Sequence, residues 1–121
     1  SRNFKNMRLV YDKVLELALD KNIEFISGGA KGVDQYVKSI VEFLARIPIT
    51  YEPDFSDGYN VTEYHLRNDK IISNSDRVIA FWDGESKGTK SVIDKCLQRK
   101  KHIEVIFDSQ EATKLEEVLN E

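Results

Sequence analysis

Apolar residues follow two alternating patterns along the chain, and each pattern predicts a different kind of element. Segments in which apolar residues recur every three or four positions predict amphipathic helices, and short apolar runs between them predict strands. The predicted helices cover Met7–Asp20, Val33–Leu44, Thr62–Ser73, the segment around Val92–Leu97 that ends at Arg99–Lys101, and Ala112–Leu119. The predicted strands cover Ile23–Ile26, Ile47–Tyr51, Val78–Trp82 and His102–Phe107. Because strands and helices alternate, the pattern predicts an α/β fold, a parallel sheet wrapped by helices in three layers.

The boundaries of these elements carry further signals. The run Val78–Trp82 has no polar residue, which is typical of a strand covered on both faces. Pro48 favours an edge position or the start of its strand. Thr62 is the predicted N-cap of the third helix, and either Ser86 or Thr89 is the predicted N-cap of the fourth.

The composition is that of one domain spanning residues 1–121. The chain has 121 residues, of which 40% are hydrophobic and 32% are charged, with a formal net charge of −3. This charge provides no overall positive field for non-specific binding to duplex DNA. The single cysteine, Cys96, excludes an internal disulfide and suits a reducing compartment, and no apolar stretch is long enough to span a bilayer. We therefore expect a cytoplasmic location and no membrane partner.

The first glycine-rich turn, Ser27–Asp34, comes directly after a predicted strand and directly before a predicted helix. It contains three glycines within five positions, Gly28, Gly29 and Gly32. Glycine permits positive φ and a close approach of the backbone to a ligand, and a helix N-terminus favours phosphate. Lys31 adds a positive charge and Ser27 a hydroxyl. Asp34 could accept a ribose hydroxyl or could satisfy the helix dipole, and the whole turn could also be a tight connection without a ligand.

The second turn, Gly84–Ser91, repeats the design. It contains small, hydroxylated or basic residues that could contact a phosphate: Ser86, Lys87, Gly88 and Thr89. It is not a Walker A loop, since no Gly-Lys-Ser/Thr triplet occurs. Alone, it could equally be an N-capped helix start. Because ligands bind outside the carboxyl ends of strands in this architecture, we expect both turns on one rim of the sheet.

Several motifs resemble, in their order along the chain, the SLOG superfamily, and most closely its small YspA-like branch. The motifs are Phe25–Asp34, Tyr51–Asp54, the pair Arg67–Asn68, Val78–Asp83 and Ser86–Thr89. The resemblance extends over almost the whole chain up to Phe107. It implies a Rossmann-like domain that binds a nucleotide or a nucleotide-derived ligand, as a sensor or a processing domain.

The resemblance also implies which residues surround the ligand. They are Ser1, Arg2, Gly28, Gly29, Lys31, Gly32, Gly88 and Thr89, together with the Arg67–Asn68 pair. Arg67 is a planar, bidentate donor suited to phosphate, although it could instead pair with Asp69 or Glu63 on a solvated helix. In this family the first strand ends in Gly-Ser-Arg, whose last two residues correspond to Ser1 and Arg2. We therefore expect the natural protein to have a short, central apolar strand before Ser1 that this chain lacks.

Side chains near the predicted rim add to the site. Trp82 ends the central strand and could stack on a base or belong to the core, and Tyr59 and Tyr64 offer further rings. Asp34 and Asp83 could hold Mg²⁺ through bound phosphates, although no cofactor is required.

Catalysis stays open at the level of sequence. Phosphoribohydrolase relatives carry Pro-Gly-Gly-x-Gly-Thr followed shortly by Glu, whereas here the first acid after Thr89 is Asp94. That departure argues against N-glycosidic hydrolysis, which we keep as an alternative. Cys96 lies on an apolar helix face, so we interpret it as a core residue rather than a nucleophile. Binding of single-stranded DNA, as in relatives of the DprA type, is a second alternative, and the resemblance also leaves a homodimer as a possible assembly.

Overall fold

The computed structural model describes residues 1–108 of the chain. Its helices are α1 (Met7–Ala18), α2 (Val33–Phe43), α3 (Val61–Ser73) and α4 (Lys87–Gln98). Its strands are β1 (Ile26–Ser27), β2 (Ile49–Thr50), β3 (Arg77–Trp82) and β4 (His102–Phe107). The predicted order of these elements is confirmed, and the helix predicted over Ala112–Leu119 lies outside the described residues.

The strands form two parallel pairs. β1 pairs with β2 in the register Ile26 to Ile49, and β3 pairs with β4 along six residues from Arg77 to Trp82. Within residues 1–108 the two pairs are separate two-stranded sheets. The chain therefore has a mixed α/β fold with short parallel strand pairs. A single sheet that joins the two pairs stays a prediction.

The first strand pair is shorter than its apolar runs predict. Ile23–Ile26 and Ile47–Tyr51 suggest strands of four and five residues, yet β1 and β2 have two each. The pairing extends slightly further through single hydrogen bonds, from Ile49 N–H to the Phe25 carbonyl and from Tyr51 N–H to the Ser27 carbonyl. Pro48 directly precedes β2, as expected for a residue that cannot donate a backbone hydrogen bond.

The main core lies between α1, α2 and the strands. Its buried side chains are Phe4, Val10, Val14, Val33, Ile40, Val41 and Phe81. Phe4 meets Phe81 edge to face, with ring centroids 5.5 Å apart. Phe25, beside β1, and Ile106, on β4, both pack against this cluster, so the two strand pairs share one core.

A second, smaller core joins α3, α4 and β3. It consists of Ile72, Val78 and Cys96. Cys96 has no exposed surface, and burial raises the pKa of its thiol. A buried thiol of raised pKa is a poor nucleophile, which favours the interpretation of Cys96 as a core residue.

One of the two predicted helix N-caps agrees with the structure and the other does not. The N-cap of α3 is Asn60, whose side-chain oxygen accepts from Thr62 N–H at 2.9 Å. The prediction of Thr62 as N-cap is therefore wrong. Asn60, two residues earlier, has the extended backbone of an N-cap residue, and its side-chain carbonyl oxygen accepts the Thr62 N–H. The N-cap of α4 is Ser86, and Thr89 lies inside the helix.

Candidate functional site

The first turn is packed against α3 through Arg67. The guanidinium donates through Nη1 to the carbonyl oxygen of Gly28 and through Nε to Oδ1 of Asn68, the latter at 2.8 Å. A Cβ atom at Gly28 would lie 2.5 Å from Nη1, so the absence of a side chain there makes room for Arg67. Arg67 forms no ion pair within residues 1–108. The alternative in which it pairs with Asp69 or Glu63 is therefore wrong: Asp69 contacts Lys95 and Arg99 instead, at 3.1 and 2.9 Å.

The other two glycines of this turn are also explained by contacts inside the chain. Gly29 has φ +68°, and a Cβ atom there would lie 2.9 Å from Cγ2 of Thr50. Gly32 has φ +90°, and a Cβ atom there would lie 3.2 Å from the carbonyl oxygen of Arg2. The turn is thus a junction where β2, α3 and the first residues of the chain approach the same backbone.

The polar groups of the first turn are divided between internal contacts and solvent. Asp34 accepts the Ala30 N–H through Oδ2 at 3.1 Å, which closes the turn ahead of α2. Lys31 is exposed and makes no ion pair with any described residue. The hydroxyl of Ser27 likewise has no hydrogen-bond partner among residues 1–108, while its carbonyl is used by the strand pair.

The second turn is organised by Asp83 and Trp82. The Asp83 carboxylate accepts the N–H groups of Glu85 and Ser86 at 2.9 and 2.8 Å. These backbone hydrogen bonds hold the pKa of Asp83 below its ordinary value, so it is ionised at neutral pH. Trp82 donates through Nε1 to the carbonyl oxygen of Ser86 at 3.0 Å, and its ring packs on Phe107 at a centroid distance of 5.6 Å.

Three hydroxyl groups meet at the start of α4. Oγ1 of Thr89 lies 3.2 Å from Oγ of Ser1 and accepts from Oγ of Ser86 at 3.4 Å. Ser1 Oγ also accepts the Asp83 N–H at 3.3 Å. The hydroxyls therefore form a connected group beside the first turn of the helix.

Ser1 and Arg2 lie between the two turns. The backbone nitrogen of Ser1 donates to the Phe81 carbonyl at 3.1 Å, and the backbone of Arg2 covers Gly32. One short segment thus contacts both turns and brings together Ser1, Arg2, Gly32 and Thr89, four of the residues that the resemblance implies around the ligand.

The starts of α2 and α4 differ in charge and access. The first turn of α2 contains Asp34, and the N–H of Gln35 is donated to the Ala30 carbonyl. The first turn of α4 has no acidic residue and begins with the exposed Lys87. No acceptor within residues 1–108 contacts the backbone N–H groups of Lys87, Gly88 and Thr89. Each helix start has one carboxylate beside it, Asp34 at α2 and Asp83 at α4. The start of α4 is the better suited to an anion because it adds Lys87 and three N–H groups that no described acceptor contacts.

An open groove of about 390 Å³ lies along α3, and Arg67 is one of its lining residues. Its lining includes the carboxylates of Glu52, Asp54 and Glu63. Hydrogen bonds from Ser56 keep the pKa of Asp54 below its ordinary value, so this carboxylate is charged at neutral pH. With Asp69, four carboxylates outnumber the two basic side chains of the lining, Arg67 and Lys70, so the groove is less favourable to a phosphate than the start of α4.

The sequence interpretation missed two features of this region. Thr50 fills the space at Gly29, and Phe55 completes a cluster of three rings with Tyr59 and Tyr64. The spacing of Phe55 and Tyr59 around the Asp57–Gly58 turn was the available signal for the cluster, because such a turn folds its flanking residues toward each other.

Comparison of the chain with models of known families, with curated proteins and with solved structures finds no match in any of the three. The similarity to the SLOG superfamily therefore stays a prediction. Among residues 1–108 no helix has the length and apolar character needed to cross a membrane. The same part of the chain holds no group of three or more His, Cys, Asp or Glu side chains arranged to hold a metal ion.

Proposed function

We propose that this chain binds a nucleotide or a nucleotide-derived ligand, with a phosphate of the ligand at the start of α4. The single observation that carries the proposal is the group of three backbone N–H donors, at Lys87, Gly88 and Thr89, that no acceptor within residues 1–108 contacts. Such donors, together with the positive end of the helix dipole, favour phosphate.

Side chains around these donors supply the rest of the anion site. Lys87 is exposed and adds a full positive charge. The hydroxyls of Ser86 and Thr89 can donate to phosphate oxygens, since each can rotate its proton away from its present neighbour. Gly88 leaves open space above the backbone, where an added Cβ atom would meet nothing within 4 Å.

The first turn forms the second wall of the proposed site. Lys31 and the Ser27 hydroxyl are available to the ligand. The second carboxylate oxygen of Asp34 can accept a hydrogen bond from a ribose hydroxyl. Asp83 and Asp34 would approach Mg²⁺ only through the ligand's phosphates. Arg67 is committed to Gly28, so we assign the phosphate to α4 rather than to Arg67.

The proposal includes a Rossmann-like, three-layer arrangement of the whole domain. The parallel pairing of β1 with β2 and of β3 with β4 supports it, as does the helix that follows each of β1, β2 and β3. β1 and β3 each lead from their carboxyl ends into one of the two glycine-rich turns, where ligands bind in such folds.

No observation raises the two alternative functions to proposals. Asp94, the first acid after Thr89, is ion-paired with Lys90 at 3.1 Å on the exposed face of α4. Three of the basic residues near that face are already opposed by acids: Lys90 by Asp94, and Lys95 and Arg99 by Asp69. A continuous basic groove for single-stranded DNA is therefore not supported by these residues.

A matched pair of variants at Lys87 tests the proposed function. Lys87→Gln removes the positive charge. Lys87→Glu places an acid at the first helical position, where its charge interacts favourably with the helix dipole and stabilises the helix but repels phosphate. We expect calorimetric affinity for nucleoside monophosphates, nucleoside diphosphates or ADP-ribose to fall on the order of tenfold in the first variant and further in the second. The melting temperature of the free protein should stay the same or rise. Equal affinities in all three proteins, or no binding by the unsubstituted chain, would contradict the proposal.

A further inference from the structure

The Asp83 carboxylate lies directly beside the proposed phosphate site. One of its oxygens, Oδ1, accepts the N–H groups of both Glu85 and Ser86, at 2.9 and 2.8 Å. Ser86 immediately precedes Lys87, the first of the three free N–H donors. One residue step of at most about 3.6 Å separates these two amide nitrogens, so the Lys87 nitrogen lies within about 7 Å of Oδ1. A phosphate held at the start of α4 is therefore close to a carboxylate.

The surrounding contacts leave this carboxylate little freedom to move away. The backbone N–H of Asp83 donates to Oγ of Ser1 at 3.3 Å. Nε1 of Trp82 donates to the carbonyl oxygen of Ser86 at 3.0 Å, and the same oxygen accepts the Lys90 N–H at 3.1 Å. The negative charge is thus a fixed part of the turn, and a bound phosphate has to tolerate it.

The charges at the start of α4 nearly cancel. Lys87 contributes one positive charge, the positive end of the helix adds about half of one, and Asp83 removes one, which leaves a net of roughly +0.5. Glu85, the other acid of this turn, is exposed, so solvent screens its charge. The electrostatic field that a phosphate meets here is therefore positive but weak.

A weak positive field discriminates between two kinds of phosphate. The terminal phosphate of a nucleotide carries nearly two negative charges above pH 7, because its second pKa is about 6. A phosphate that is esterified on both sides carries one. The attraction of an ion to the field grows in proportion to its charge, whereas the cost of removing the ion from water grows with the square of the charge. The singly charged phosphate is therefore the better ligand for this site.

We infer that Asp83 is a specificity-determining residue, whose fixed negative charge makes the start of α4 select a phosphate esterified on both sides over a terminal phosphate. The inference rests on the proposed function and narrows it: the phosphate at α4 joins two groups, as in a cyclic nucleotide or a dinucleotide. If Asp83 served only to close the turn, an asparagine would do the same, since both hydrogen bonds go to Oδ1.

Calorimetry on the full chain at about pH 7.5, with the common nucleoside 5′-monophosphates and their methyl esters, tests this inference. Methylation removes one charge from the phosphate and leaves the base and the sugar unchanged. We expect the ester of at least one nucleotide to bind more tightly than the parent monophosphate. Asp83→Asn keeps the Oδ1 acceptor and removes the charge. It should tighten the monophosphate by roughly tenfold and the ester by roughly threefold, because the repulsion is twice as large for the doubly charged group.

The ratio of the two affinities separates a charge effect from a structural one. A variant that merely loosens the turn or lowers the folded fraction weakens both ligands together and leaves the ratio unchanged. Glu85→Gln is the matched control, because it removes a negative charge from an exposed side chain of the same turn. It should change the ratio much less than Asp83→Asn does.

The outcomes distinguish the inference from the proposed function. If every monophosphate binds at least as tightly as its ester, or if Asp83→Asn shifts the ratio no more than Glu85→Gln does, the assignment to Asp83 is wrong while anion binding at α4 stands. If none of these molecules binds the unsubstituted chain, the proposed function fails and the assignment fails with it. Where the assignment holds, the 3′,5′-cyclic nucleotide and the dinucleoside monophosphate of the preferred base separate the two ligand classes, since the natural class should bind more tightly.

Discussion

At the first glycine-rich turn the space of each missing side chain is taken by another part of the chain, whereas at the second it is empty. Arg67, Thr50 and the Arg2 backbone occupy the positions that Cβ atoms would take at Gly28, Gly29 and Gly32. A Cβ atom at Gly84 or Gly88 would meet nothing within 4 Å. Two turns that both combine glycine with lysine and serine therefore use glycine for different reasons. At the first turn the missing side chains let other parts of the chain pack closely on the backbone. At the second turn they leave the backbone accessible from solvent.

The difference shows how a glycine-rich turn can be interpreted. Glycine next to a helix N-terminus suggests a phosphate site, but the same residue is required wherever the chain meets itself closely or takes positive φ. Of these two turns, the one at the start of α4 is where open space at the glycines coincides with backbone N–H groups that no described acceptor contacts, with the Asp83 carboxylate held beside them by the Ser86 N–H. The following substitutions test that contrast, beginning with the one that we expect to have the largest effect.

Gly32→Ala should cause the largest loss of stability. Gly32 combines φ +90° with ψ −120°, a conformation that other residues rarely adopt, and its Cβ atom would press on the Arg2 backbone. We expect the free energy of unfolding, measured by chemical denaturation, to fall by about 3 kcal/mol. Gly84→Ala is the matched control, because Gly84 has φ +85° in open space and should cost only the backbone strain, about 1–2 kcal/mol. Equal losses would show that internal packing at Gly32 contributes nothing.

Gly28→Ala should destabilise the fold through Arg67. The new methyl group would displace the guanidinium from the Gly28 carbonyl, for an expected loss of about 2 kcal/mol. Chemical denaturation of the single variants and of the double variant with Arg67→Ala forms a cycle. In the Arg67→Ala background the same glycine substitution should cost much less. Additive losses would contradict the contact between these two residues.

Gly88→Ala should have the smallest effect and the opposite sign. The position is helical and open, so alanine should raise the free energy of unfolding by about 0.5–1 kcal/mol. A drop in melting temperature would mean that the space above Gly88 is not empty. If the variant is more stable and still binds nucleotides less tightly, the loss comes from the ligand's approach to this backbone and not from the fold.

The sequence predicted the order of elements well because apolar periodicity is a local property. β4 begins and ends where the run His102–Phe107 predicts, and α2 ends within one residue of its predicted limit. The lengths of β1 and β2 could not be predicted from apolar periodicity. Ile23 and Ile47 are apolar, but whether they pair depends on where the partner strand lies, which is a tertiary property.

The sequence indicates which residues belong to the candidate site but not which of them contact one another. The sequence singled out Arg67 and Gly28 separately, and no local pattern indicates that the guanidinium lies on the glycine. The sequence allows Asp34 either a contact with a ligand or a structural role. The hydrogen bond from Ala30 N–H shows that one of its carboxylate oxygens has a structural role. The sequence predicts the N-cap of α3 two residues too late, because Asn60 and Thr62 both have capping side chains and only the backbone angles distinguish them.

Backbone amide NMR of the full chain during titration with a nucleoside 5′-monophosphate tests the central claim most directly. We predict that the amide signals of Lys87, Gly88 and Thr89 move most, because their N–H groups would gain an acceptor on binding. The amides of Val33 and Asp34 at the start of α2 should move less, since the Asp34 carboxylate repels an anion there. Saturable shifts centred on α2 with α4 unchanged, or no shifts at all at millimolar nucleotide, would contradict the assignment of the phosphate to the start of α4.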